Sequence, residues 1–371
     1  MTLSSDFKIF LVKAMPRDYN SNPESICILR LSAIGDCCHT LPVVRTLQAA
    51  FPSAQVTWVI GTTEHKLLEG ADGIEFITFD KGRGFESWRA IRRKLAGRNF
   101  EVLLHMNASL RASLASTAIA ARRRVGFDKP RARDLQWAFS NERIAQQDPH
   151  RRHVLDGLFQ FAEHLGVNKR DMRWDIPVSD SDRNFAGEQT RGDAPVCVIS
   201  PCSSQRARNF RNWSVGNYIA LIETMQTKYG ARIILTGAAS DIENQYAREI
   251  IARTNGVTDL NGATSLKQLL ALIDTATLVI CPDSGPAHMA TAAQTPVIGL
   301  YATSNPERTG PYIARQLTVN KYPEAVRLEF GKGVDEIRFG ARVRDPNAMD
   351  LIQVGDVLEK VDLVLGNPEA C

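Results

Sequence analysis

Residues 25–36 read SICILRLSAIGD, and residues 39–51 continue as HTLPVVRTLQAAF. A short apolar run, a turn carrying Ser32, Gly35 and Asp36, then apolar residues at helical spacing is a buried strand delivered into a helix. The same alternation runs outward from this stretch. AQVTWVIG (54–61) reads as a strand, HKLLEG as a short helix and IEFITFD (74–80) as a strand. SWRAIRRKLAGRN (87–99) reads as a basic amphipathic helix ending at Gly97, FEVLLHM (100–106) as a strand, ARRRVGF (121–127) with the polar stretch to Asp148 as strand plus loop, and HVLDGLFQFAEHLGV (153–167) as a helix. Between Ile176 and Ala194 periodicity weakens and polar, Gly and Pro content rises, which marks an inter-domain region. The rhythm then restarts: PVCVISP (195–201) strand, WSVGNYIALIETMQTKYG (213–230) helix, ARIILTG (231–237) strand, and SDIENQYAREIIART (240–254) helix with a Ser240–Glu243 capping box. A short strand near VTDLNG, the helix SLKQLLALIDTA (265–276), the strand TLVICP (277–282), the helix PAHMATAAQ (286–294) and the strand TPVIGLY (295–301) complete it. Strands separated by helices in this rhythm build open, mostly parallel sheets. The expectation is α/β: two Rossmann-like domains facing a cleft, 1–180 and 181–371.

Composition agrees with a soluble globular chain. Of 371 residues, 44% are hydrophobic and 23% charged, which excludes disordered and fibrous classes. No uncharged apolar run approaches the roughly 18 residues of a membrane span, and the opening MTLSSDFKIFLVKAMPRDYN is not expected to be a signal peptide. Seven cysteines without a CxxC pair point to reduced thiols in the cytosol, with neither a disulfide framework nor a zinc site. Charge is uneven. Residues 1–178 hold 26 Lys+Arg against 19 Asp+Glu, while the whole chain carries only +4. The first half therefore reads either as the partner of an anionic ligand or as an ordinary solvated surface.

In sheets of this kind ligands bind beyond the carboxyl ends of the strands, so the loops there carry the chemistry. In Leu31–Asp36, Gly35 permits a tight turn, and Asp36 reads either as a helix cap or as a general base at the mouth of the cleft. Cys281–His288 (CPDSGPAH) ends a buried strand and starts a helix. Its free amides, positive helix end and His288 make a phosphate or diphosphate the natural occupant, the alternative being a core histidine behind a capping Asp283. Ser200–Ser204 followed by Arg206, Arg208, Arg211, Asn212 and Trp213 reads as a second phosphate clamp or as a solvated basic loop. GLYATSNPER (299–308) alone is only a turn.

Four stretches together resemble glycosyltransferase family 9, the bacterial ADP-heptose:lipopolysaccharide heptosyltransferases. They are LRLSAIGDCCHTLPVVRTL, RRRVGFD (122–128), SSQRARNFRNW (203–213) and CPDSGPAHMATAAQTPVIGLYATSNPERTGPY (281–312), and the likeness extends from about Ser25 to Tyr312. The resemblance implies a GT-B fold with an acceptor-binding N-terminal domain and a nucleotide-sugar-binding C-terminal domain, whose last helix (350–365) packs back toward the first. It implies an inverting transfer of heptose from ADP-heptose to the Kdo or heptose of a lipopolysaccharide inner core, with no cofactor and no obligatory metal. Asp36 is similar in position to the family's catalytic base. Ser203, Ser204, Arg211, Asp241, Asp283, Ser284, Gly285, His288 and Thr303 would serve the donor, with Glu243 a weaker candidate that also completes a capping box. Arg211 stands where the family usually has Lys. Ser32, Gly35, His39, Arg122, Arg123 and Arg124 would serve the acceptor, with Arg131 and Arg133 as further candidates for its phosphates and acidic sugars. The implied partners are the nucleotide-sugar and an anionic lipid-linked glycan, met by a monomer at the cytoplasmic face of the inner membrane; nucleic acid is not among them. The N-terminal extension and residues 321–345 exceed the family pattern and have no functional reading.

Three other readings compete. A family 9 transferase with another nucleotide-sugar or acceptor shares every motif. A non-catalytic nucleotide-sugar-binding member is disfavoured by the intact Asp36 and Asp283–His288 motifs. A dinucleotide oxidoreductase is disfavoured because SAIGD lacks GxGxxG and the second strand closes on Ile60-Gly61 rather than an acidic residue.

Overall fold

The computed structural model describes residues 22–145, 153–203 and 210–366; the N-terminal extension, Ser204, Arg206 and Arg208 lie outside them. The first unit runs β1 (Ser25–Leu29), α1 (Ile34–Ala50), β2 (Gln55–Gly61), α2 (Thr62–Leu68), β3 (Ile74–Phe79), α3 (Phe85–Lys94), β4 (Phe100–His105), α4 (Leu110–Ser116), β5 (Ala121–Gly126), β6 (Glu142–Arg143) and α5 (Val154–His164). The second runs α6 (Asp180–Thr190), β7 (Val196–Ile199), α7 (Val215–Tyr229), β8 (Arg232–Gly237), α8 (Asp241–Ile251), β9 (Val257–Asn261), α9 (Leu266–Thr275), β10 (Leu278–Pro282), α10 (Gly285–Ala293), β11 (Val297–Tyr301), α11 (Pro306–Thr309), β12 (Val319–Asn320), α12 (Tyr322–Phe330) and α13 (Val354–Leu365).

Each unit holds one six-stranded sheet, ordered β3-β2-β1-β4-β5-β6 and β12-β11-β10-β7-β8-β9. Both are the same doubly wound order, and all strand pairs are parallel. The order reverses between β1 and β4 and between β7 and β10, so the crevices open at the carboxyl ends of those strands. Central strands covered on both faces need continuous apolar runs; accordingly Ile26, Cys27, Ile28 and Leu29 have no exposed surface, nor do Cys197, Val198 and Ile199.

Helix α1 joins the units. It packs on α5 of its own unit and on α10 of the other, so residues around most of its circumference are buried, from Gly35 to Leu47. A helix enclosed on several sides does not show a single apolar stripe. On the α10 side, Ala287 and Ala290 are small and buried, which lets the two axes approach. Lys267 Nζ donates to the carbonyls of Glu69 and Pro177 at 2.7 Å each, and Tyr312 Oη donates to Asp156 Oδ1 at 3.0 Å, tying the units elsewhere. One apolar core runs through both units; a second lies under α3 and α4 on the outer face of the first sheet.

The structure differs from the sequence expectation in two places. Residues 180–190, read as irregular, form α6, which packs on α9. Only Ala186 of this helix is buried, so periodicity is faint; the signal is local, a capping box in which Ser179 and Asp182 cap each other. The second difference is a correction. Helix α13 packs chiefly on α7, β11 and β12 of the second unit rather than back toward the first. Val357, Val361 and Val364 are its buried face, and Asp362 meets Lys228 and Tyr229 of α7.

Candidate functional site at the junction of two helix starts

The first unit brings a carboxylate to the cleft. Asp36 lies in the first turn of α1, where its Oδ2 accepts the Ala33 amide at 3.1 Å and pairs with Arg30 Nη2. Arg30, the residue after β1, is itself fixed: its other amino group donates to the carbonyl of Met106, the residue after β4, and its own carbonyl accepts Trp58 Nε1 at 3.2 Å. The Asp36 side chain stays a third exposed. Burial pushes its pKa up, but the Arg30 guanidinium, the Ala33 amide and His288 together outweigh that and hold it below the usual carboxylate range. The result is an oriented, ionised carboxylate facing the cleft. Ser32 is half-buried in the same turn.

The second unit brings a helix start to the same point. Ser284 is the N-cap residue of α10, yet its hydroxyl donates to the Pro282 carbonyl at 3.0 Å instead of capping the helix. The first-turn amides of α10 therefore have no N-cap side-chain acceptor and retain the positive end of the helix for a ligand. Asp283 is buried, held by Arg211 Nη1 at 2.7 Å from its carbonyl and 3.3 Å from its Oδ2. Ser203 donates its amide and hydroxyl to Asn212 Oδ1 at 2.9 and 3.0 Å, which pins the end of the β7 loop close to Arg211. Thr303 is buried at the exit of β11.

Asp36 and α10 meet through Gly35. A Cβ at Gly35 would fall 2.0 Å from His288 Cδ2, so only glycine admits the His288 ring against α1. Ile34 approaches Gly285 in the same contact. His39, one turn beyond Asp36, is buried between two further imidazoles, at 4.7 Å from the His288 ring and 5.2 Å from the His153 ring. Neither His39 nitrogen has a hydrogen-bond partner among the described residues, and His153 Nε2 bonds the Gly310 carbonyl across the units at 2.8 Å. Burial first, and mutual repulsion second, push the His39 pKa well down; burial also lowers that of His288, against the pull of Asp283 and Asp36. Burial therefore favours the neutral form of these rings.

Of the remaining expected residues, Glu243 completes its capping box through the Ser240 and Ala238 amides, and Asp241 is exposed in the same helical turn. The arginine run requires correction. Arg122–Arg124 lie toward the amino end of β5, in register with β4 residues remote from the cleft. Arg124 is a structural residue, donating to the carbonyls of Phe139, Ile119 and Ser116 at 2.7–3.0 Å, and Arg123 forms a two-pronged pair with Glu142 at 2.9 Å. Arg122 alone of the three is exposed. Parallel strands put their carboxyl ends at the cleft, so the β5–β6 loop with Arg131 and Arg133 reaches it better; Arg131 is already bonded to Asp128 and Gln160 at 2.6 Å. Sequence reading missed Arg30, which pairs with Asp36, and Arg342, whose Nη2 lies 3.9 Å from Asp283 Oδ2. A lone Arg closing the apolar run SICILR was a usable signal for the first; the second depends on a tertiary contact.

The pattern of glycosyltransferase family 9 (heptosyltransferase) matches residues 88–333. A lipopolysaccharide core heptosyltransferase, OpsX, of Haemophilus influenzae is 38% identical over 92% of this chain and 96% of its own. Among solved structures, a family 9 glycosyl transferase of Veillonella parvula superposes with a TM-score of 0.74 at 19% identity, covering 95% of this chain and 99% of that one. The Escherichia coli ADP-heptose LPS heptosyltransferase II superposes with 0.69 at 20% identity, covering 93% and 100%. The shared two-unit architecture is the GT-B fold.

Proposed function

The chain belongs to glycosyltransferase family 9, the heptosyltransferases, and from that premise we propose that it transfers heptose from ADP-heptose to a Kdo or heptose of the lipopolysaccharide inner core with inversion at the anomeric carbon. The observation that carries the reading is the meeting of an ion-oriented Asp36 with the uncapped start of α10 across Gly35. Asp36 accepts the proton of the acceptor hydroxyl as that oxygen forms its bond to the anomeric carbon. The bond from that carbon to the diphosphate breaks on the opposite face, and its electron pair leaves with the diphosphate. Inversion requires one base on one side and one leaving-group site on the other. The α10 amides and the Ser203–Arg211 loop supply preorganised donors for the leaving charge, so the step asks for no cofactor and no metal. On this reading Asp283 and His288 serve the donor where its sugar joins the diphosphate.

The acceptor belongs to the first unit. Around α3 and α4, Phe85, Leu110, Leu114, Leu135 and Trp137 are 45–61% exposed. Arg89 and Arg92 stack over Phe85 and Trp88 at 4.6 and 5.3 Å, beside Arg83, Arg93 and Lys94. Aromatic and aliphatic side chains interleaved with guanidiniums suit the surface of an anionic bilayer. This supports work at the cytoplasmic face of the inner membrane on a lipid-linked glycan, which we propose the chain does as a monomer; among the described residues no helix is long and apolar enough to cross a membrane.

The test is a transfer assay with purified protein, truncated core acceptors, and ADP-heptose beside UDP- and GDP-hexoses. Asp36→Ala should fold, bind donor and lose about 100-fold or more of kcat, the scale of general-base catalysis. Transfer near the wild-type rate in that variant removes Asp36 from the mechanism, and transfer from a hexose donor alone replaces the sugar.

A further inference from the structure

Arg30 takes no part in the bond-making written above, yet it backs the group that receives the proton. Its main chain is fixed from β2: the Arg30 amide donates to the Val59 carbonyl at 3.2 Å, and the Arg30 carbonyl accepts Trp58 Nε1 at 3.2 Å. The next amide, that of Leu31, donates to Asn107 Oδ1 beyond β4 at 3.0 Å. The side chain therefore leaves a rigid frame, at the point where the strand order of the first sheet reverses. One terminal nitrogen donates to the Met106 carbonyl and the other pairs with Asp36. Arg30 is buried and both terminal nitrogens are taken, so it is closed to substrate.

Asp36 is held through one oxygen. Oδ2 takes the Ala33 amide and Arg30 Nη2, whereas Oδ1 accepts no hydrogen bond among the described residues, and a third of the side chain is exposed. A carboxylate oxygen offers about two lone-pair sites, so Oδ2 is filled and Oδ1 is left for a proton. The Ala33 amide alone is the reach-back contact of a helix's third residue, and a single contact leaves the carboxylate free to turn about its Cβ–Cγ bond. A second donor on the same oxygen fixes its plane. Arg30 Nε is buried without a partner, and a buried charge carries a desolvation cost. An apolar side chain would pack β1 against β4 without that cost, so packing alone does not account for an arginine here. The other charged and titratable groups facing Asp36 are His288 of α10, Arg308 of α11, and the neighbouring Cys37 and Cys38 thiols, which burial keeps protonated. Burial pushes the Asp36 pKa up, and Arg30 leads the groups that bring it down.

We propose that Arg30 is a positioning residue for the transfer step: by holding Oδ2 it presents Oδ1 of Asp36 to the acceptor hydroxyl. The inference rests on the reading of the chain as a sugar transferase with Asp36 as its base. The hydroxyl proton passes to Oδ1 while the oxygen bonds to the anomeric carbon and the diphosphate leaves with its electron pair; Arg30 touches none of the reacting atoms. Its charge also keeps Asp36 ionised to lower pH, so the acid limb of the rate profile reads its hold on the base.

The test is the pH dependence of transfer by the full chain from ADP-heptose to a truncated core acceptor. Beside it runs an NMR titration of the aspartate carboxyl groups, with Asp36→Asn identifying the Asp36 signal. In Arg30→Gln, kcat should fall by about ten- to a hundredfold while the KM for donor stays unchanged. The acid limb of kcat/KM should move to higher pH, and the Asp36 signal should titrate higher with it. Arg30→Lys keeps the charge but not the planar fork, so the limb should return toward its wild-type position and kcat should recover only in part. An acid limb and an Asp36 titration that stay in place in folded Arg30→Gln overturn the inference and leave the transferase reading intact, whatever the loss in thermal stability. If that variant does not fold, Arg30→Lys decides, and an undiminished kcat there overturns the inference. A wild-type chain that transfers no sugar overturns both.

Discussion

Gly35 and Asp36 show how little separates a structural residue from a chemical one. The helix dipole and the Ala33 amide would stabilise any carboxylate in the first turn of α1, and a cap is all the local sequence demands. Arg30 and His288 turn that carboxylate into an oriented group at a junction, and both arrive by tertiary folding. Gly35→Ala puts a methyl 2.0 Å from the His288 ring, and neither α1 nor the ring can yield without disturbing the contact between units. The expected cost is about 1–3 kcal/mol, the range for overpacking a filled site, read by urea denaturation, together with a fall in kcat exceeding that of a surface glycine such as Gly355. Equal stability of the variant and wild type removes the close approach from the account. The loops around Asp36 and Asp283–His288 were legible in sequence because glycine, proline and capping residues encode backbone geometry locally. The roles of Arg123 and Arg124 were not legible, since a run of arginines reads the same whether its partners are phosphates or the carbonyls of the next turn.

Elements follow the same division. β1, β7 and β10 were readable as buried strands because parallel central strands are apolar on both faces, and α7 and α8 because caps and periodicity agree. Helix α6 shows where periodicity fails: with one buried residue, its stability rests on its cap and its contact with α9. Ser179→Ala removes the acceptor for the Asp182 amide and should cost about 1 kcal/mol, measured as a shift in the urea midpoint without change in slope. A change below about 0.2 kcal/mol would mean that the cap contributes nothing and packing on α9 alone holds the helix. Helix α13 is the opposite case. Its apolar stripe predicts burial correctly but is silent about the partner, and Val357, Val361 and Val364 are satisfied by α7 as well as they would be by the first unit.

At the scale of the molecule, three buried imidazoles lie in the contact between the units. Burial, aided by repulsion from His288 and Arg315, holds the pKa of His153 at about 4, against pulls from the Gly310 carbonyl and Asp156; that of His39 is also well down. In the unfolded chain both titrate near 6.5. Between that value and about 4 the unfolded state binds more protons, so stability rises with pH across this window. It is complete above about 6.5 and lost as pH falls toward 4. Urea denaturation should show a loss of at least about 1 kcal/mol between pH 7.5 and pH 5, with a plateau above pH 7; His39→Gln should flatten the slope. A flat profile from pH 7.5 to pH 5 would show the imidazoles are not held neutral by the fold. The sequence by itself determined the two doubly wound sheets, the strand ends that carry the loops, and the helix starts that favour an anion, because strand burial, turns and caps are set by near neighbours. Only the tertiary structure decided which loops meet, and that residues 321–345 bring Arg342 to Asp283. Those contacts join residues far apart in the chain, and periodicity and composition carry no record of which buried charge lies against which.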